Sequence, residues 1–129
     1  MVLADLLSLS HFWLITIGFT FISISIIIVI VKKCQNTEFV IHVVLSCIGL
    51  ALILIGLIFF TDFRLNQLHG ILGMNATSLT LTAAIGGILA KSKIKRKDVI
   101  KKVHIWWGAI VFLYSIGVLI IGIIVIVKN

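Results

Sequence analysis

Four long apolar runs, separated by short polar segments, make up almost the whole chain: His11 to Val31, Phe39 to Phe60, Leu68 to Ala90 and Val103 to Val127. Each holds at least 20 residues. At about 1.5 Å per residue, roughly 20 residues cross the hydrocarbon of a bilayer. Lipid offers backbone N–H and C=O groups no partner, so a spanning segment must be a helix or part of a closed barrel. The runs show no strict two-residue alternation, and four segments are too few for a barrel. The pattern predicts one all-α domain over residues 1–129, an integral membrane antiparallel four-helix bundle with spans at about 11–31, 39–60, 68–90 and 103–127.

The breaks agree. Lys32 to Thr37 separates the first two runs, with Asn36 or Thr37 placed to cap the second helix. Asp62 to Gln67 separates the second and third, and Lys91 to Lys102 the third and fourth, where Asp98 is the candidate cap. Connections this short make neighbouring helices antiparallel.

Composition turns this into a statement about solvent. Of the 129 residues 61% are hydrophobic and only 12% charged, with mean hydropathy +1.31. Too little polar surface exists to cover a water-facing protein, so the medium is lipid. The net charge of +7 does not indicate nucleic acid, because the basic residues sit in the gaps between apolar runs. There they act as topology signals and headgroup contacts. Lys32, Lys33, Lys91, Lys93, Lys95, Arg96, Lys97, Lys101 and Lys102 lie on one side, and only Arg64 and Lys128 on the other. The positive-inside rule then places both termini on the non-cytoplasmic side of a multi-pass cell-membrane protein. Trp13 falls near the outer interface, and Trp106 and Trp107 near the inner one. The N-terminus has no basic segment ahead of a short apolar core with a cleavage site, so the first run is expected to stay in the mature protein. Cys34, in a cytoplasmic loop, and Cys47, in a span, form no disulfide framework. No CxxCH occurs, which excludes a covalently attached haem.

Each run carries one histidine near its N-terminal end: His11, His42, His69 and His104. Because successive helices reverse direction, His11 and His69 fall toward the outer face, and His42 and His104 toward the inner one. Two imidazoles from different helices are what a bis-histidine b-type haem requires, and filling both axial positions makes the iron an electron carrier. Two such non-covalent haem b groups, with iron held by His11 and His69 outside and by His42 and His104 inside, would stand on the order of 20 Å apart in a core about 30 Å thick. A helix packed against a flat porphyrin needs small residues. Gly73 and Gly108 lie four residues after His69 and His104, Gly49 seven after His42 and Gly18 seven after His11. These four glycines are the candidate haem-cradle positions, with Gly56 and the Gly86-Gly87 pair leaving room for a haem in the opposite leaflet.

Plainer roles exist for the same residues. A lone histidine at a helix end often snorkels or caps, and small residues also serve ordinary helix packing in membranes. The run Asn75, Thr77, Ser78, Thr80 and Thr82 is expected to make interhelical hydrogen bonds. The basic third loop is a topology determinant that could also dock an electron donor.

The layout resembles the core of the cytochrome b561 family, in which four consecutive helices carry one haem ligand each. His11 with His69 and His42 with His104 match the family's pairing of helices one with three and two with four. The stretch Leu68-His69-Gly70-Ile71-Leu72-Gly73 looks like a His-x-x-Leu-Gly pattern common in such helices, and the histidine intervals of 31, 27 and 35 residues are similar. Family members commonly have six helices; the four runs here correspond to the core without its flanking helices, and no ascorbate site maps onto them. The resemblance implies a transmembrane oxidoreductase or electron carrier that exchanges electrons with donor and acceptor proteins or with quinone. Lys101, Lys102 and Arg64, near ligands in sequence, are candidates to meet haem propionates. Membrane lipid is a partner in any case, and so small a chain is expected to work as a homodimer or within a larger membrane complex. The alternative is a non-haem small subunit or scaffold. A channel or transporter fits poorly, since no charged residue lies deep in a span, and no nucleophile, base and orienting acid converge for hydrolysis.

Overall fold

A computed structural model describes residues 2–31, 36–60, 68–91 and 97–128, with side chains described for 10–31, 37–59, 68, 70–91 and 98–124. The connecting segments, with Cys34 and Arg64, lie outside the described residues, and so does the side chain of His69. Every described residue is helical. The helices are α1 (Val2–Val31), α2 (Asn36–Phe60), α3 (Leu68–Lys91) and α4 (Lys97–Lys128). All four are long and apolar enough to cross a membrane, over Ser10–Val31, Thr37–Phe59, Gly70–Lys91 and Asp98–Ile124.

Two helices outrun the apolar pattern. α1 begins nine residues before His11, and α4 six residues before Val103. Hydropathy marks only the part of a helix that lies in hydrocarbon. The backbone hydrogen-bond ladder continues wherever residues such as Ala4, Leu6, Lys101 and Lys102 favour it.

The helices form two units, Met1–Phe63 and Arg64–Asn129. In the first, α1 packs on α2; in the second, α3 packs on α4. Both are inside-out by the standard of a water-soluble protein. Ile30, Phe59, Ile88, Leu113 and Trp106 are each about 70% exposed, whereas buried hydrophobic side chains are few: Ile53, Leu57, Val111 and Val118. Apolar residues on the outside need a lipid solvent.

The seam of the first hairpin repeats every seven residues. His11, Gly18 and Ser25 of α1 meet Gly56, Gly49 and His42 of α2. The index rises along one helix as it falls along the other, so the pair is antiparallel. A seven-residue repeat keeps one stripe facing the partner. The closest point is Gly18 against Gly49. A Cβ on Gly18 would stand 2.6 Å from the Gly49 carbonyl oxygen, and one on Gly49 would stand 2.5 Å from the Gly18 carbonyl oxygen. Only glycine permits this approach.

Candidate functional site

At either end of that seam a histidine reaches across to the other helix. His11 Nδ1 lies 3.0 Å from the carbonyl oxygen of Gly56. His42 Nδ1 lies 3.0 Å from the Ser25 hydroxyl and 3.4 Å from the Ser25 carbonyl oxygen. The second hairpin repeats the device: His104 Nδ1 lies 3.0 Å from the carbonyl oxygen of Ala83 on α3. A carbonyl oxygen only accepts, so at His11 and His104 the Nδ1–H donates. In a neutral ring with its proton on Nδ1, the lone pair lies on Nε2. That tautomer is the one a metal-ligating histidine adopts when a carbonyl fixes its other nitrogen.

The local sequence explains how these rings fit between helices. A Cβ at Gly87 would lie 3.0 Å from His104 Cε1 and 3.4 Å from its Nε2, and one at Gly86 would lie 3.6 Å from its Nδ1. The Gly86-Gly87 pair therefore makes room for the imidazole of His104. One turn beyond that histidine, a Cβ on Gly108 would meet nothing within 4 Å, and the same holds at Gly73, one turn beyond His69. The flanks at Gly73 and Gly108 are open, as a helix lying against a flat ring must be. Gly18 and Gly49 occupy a different place, each filled against the other at the α1–α2 crossing.

The threonines of α3 mostly serve their own helix. Thr77, Thr80 and Thr82 donate to the carbonyls of Gly73, Ala76 and Leu79. One interhelical bond of the expected kind is present: Trp107 Nε1 donates to Thr82 Oγ1 at 2.9 Å. A hydroxyl in an apolar helix readily finds the carbonyl three or four residues back on its own helix, and its oxygen can still accept from a neighbouring helix, as Thr82 does. Sequence reading passed over Ser25, whose hydroxyl joins His42 to Ser46 Oγ, 2.8 Å away. It also passed over the carbonyls of Gly56 and Ala83, which carry no side-chain signal. Lys101 and Lys102 are exposed. Among the described residues no three His, Cys, Asp or Glu side chains gather; a bis-histidine haem draws only two side chains to each iron.

These features define a class: a multi-pass membrane protein whose histidines are oriented by neighbouring helices inside the spans. The family described as eukaryotic cytochrome b561 matches residues 10–127, nearly the whole chain. The chain belongs to the cytochrome b561 family, a family of transmembrane electron transfer. No curated protein and no solved structure matches it.

Proposed function

We propose that this protein carries electrons across a membrane through two bis-histidine b-type haems, one in each leaflet, held by His11 with His69 and by His42 with His104. Family membership supports haem b as the cofactor. The observation that carries the reading is the tautomer of His11 and His104, with Nδ1–H given to a carbonyl of the neighbouring helix and the lone pair left on Nε2. In this reading each haem takes one ligand from each hairpin.

When bound, a haem would supply a one-electron couple, and His11 with His69 and His42 with His104 would hold the two groups. The chain's own residues do the rest. The carbonyls of Gly56 and Ala83 stop the rings of His11 and His104 from turning. Gly87 gives the His104 ring its space, and Gly73 and Gly108 leave a flat surface beside the ligands. The apolar spans exclude water, so electrons enter and leave only at the two faces. Both termini lie on the non-cytoplasmic side. Donor and acceptor are proteins or quinone, and the exposed Lys101 and Lys102 would be available to haem propionates. The working unit is a homodimer or part of a larger membrane complex.

A dithionite-reduced minus oxidised visible spectrum of the purified protein, with haem counted per chain, tests this directly. The expected result is a b-type α-band and two haems per chain. His69→Ala removes one haem and His104→Ala the other. A colourless protein, expressed with haem available, would sink the reading. The interhelical histidine bonds would then be structural, as in a non-haem scaffold subunit.

A further inference from the structure

Ser25 has no exposed surface, and it is the fully buried polar side chain among the described residues. Its hydroxyl stands between His42 Nδ1 at 3.0 Å and Ser46 Oγ at 2.8 Å. The Ser25 carbonyl oxygen is farther from the same ring nitrogen, at 3.4 Å. With the His42 proton on Nδ1, Nδ1–H donates to Ser25 Oγ, and where the Ser25 hydroxyl is the donor of its bond to Ser46 Oγ the groups form a chain. A hydroxyl that donates one hydrogen bond becomes a better acceptor of another. His11 and His104 are paired with peptide carbonyls instead. At His42 the closer of these Nδ1 partners is a side chain, the Ser25 hydroxyl, and not the peptide carbonyl.

We infer that Ser25 is a positioning residue that sets the electron-donating strength of His42, and through it the reduction potential of the haem that His42 ligates. This rests on the di-haem reading above. An imidazole whose Nδ1–H is drawn toward a good acceptor places more negative charge on Nε2 and favours ferric iron. Loss of the Ser25 hydroxyl leaves the carbonyl at 3.4 Å, a longer and weaker partner for a ring already fixed at Nε2. The reduced state gains. Ser46 acts one step further out, by polarising the Ser25 hydroxyl.

Potentiometric titration followed in the visible spectrum, with haem counted per chain, tests Ser25→Ala and Ser46→Ala against the unaltered protein. Ser25→Ala is expected to raise one midpoint and leave the other in place. At the original midpoint, the reduced-to-oxidised ratio of that haem rises roughly threefold to tenfold, a tenfold change being about 59 mV for one electron. Ser46→Ala shifts the same midpoint in the same direction by less. Unchanged midpoints in both variants, at full haem content, overturn the inference and leave Ser25 as a packing residue. Should Ser25→Ala fail to assemble, Ser46→Ala decides alone, because Ser46 is half-buried where Ser25 is fully buried. An unaltered protein without haem overturns the di-haem reading itself, and this inference with it.

Discussion

An imidazole placed in hydrocarbon must find a partner for whichever nitrogen bears the proton. A helix carbonyl can serve, since its second lone pair is left over after the backbone ladder has used the first. His11 and His104 use this spare capacity, and so peptide oxygens of the neighbouring helix orient their rings. The orientation then depends on having room. Gly87→Val would push branched carbon into a ring whose Cε1 is 3.0 Å from the position of a Cβ, while the Ala83 carbonyl, one turn earlier on the same helix, holds its Nδ1. The expected outcome is loss of the haem at His104 with retention of the other, read as haem per chain. Gly117→Ala, at a position with nothing within 4 Å, should leave haem content unchanged. The histidines themselves are legible in the sequence because ionisable side chains are rare in spans. Ser25 is not. Ser23 looks the same on paper, yet it merely donates to the Phe19 carbonyl of its own helix. What separates the two is the neighbouring helix, which no local pattern describes.

At the scale of the helix, hydropathy gives the lipid-embedded stretch and is silent about how far the helix continues into the interface, as the starts of α1 and α4 illustrate. It also shows that a glycine is needed without saying what approaches it. Gly18 and Gly49 lie on the histidine stripes and serve the α1–α2 crossing, where each carbonyl occupies the other's side-chain space. Their replacement should damage the hairpin before it damages any ligand. Gly49→Val is expected to lower stability by about 1–3 kcal/mol through forced separation of the helices. Detergent-resistant helix content on heating, followed by circular dichroism, measures this. A variant as stable as the parent would mean that the crossing tolerates a wider spacing.

For the molecule as a whole, the distribution of lysine and arginine sets the direction in the membrane. Cys34, between α1 and α2, reports on it. In intact cells carrying the Cys47→Ser variant, a membrane-impermeant thiol reagent applied from outside should leave the protein unlabelled, and permeabilised cells should be labelled. Labelling without permeabilisation would reverse the orientation. Fold class and spans are legible at this scale because lipid imposes them on composition. Which helix flank meets which partner is set by side-chain fit, and composition does not record it.

The carbonyls that hold His11 and His104 have one more consequence. A peptide oxygen is present whatever residue occupies the position, so a point mutation at Gly56 or Ala83 cannot delete the acceptor atom itself. It can act only by moving the helix, as a side chain at Gly56 would by crowding Leu14 and Ile15, so the aim of these two imidazoles is encoded in spacing and not in side-chain chemistry. The anchor of His42 is partly genetic information in the ordinary sense, and a single base change can retune it.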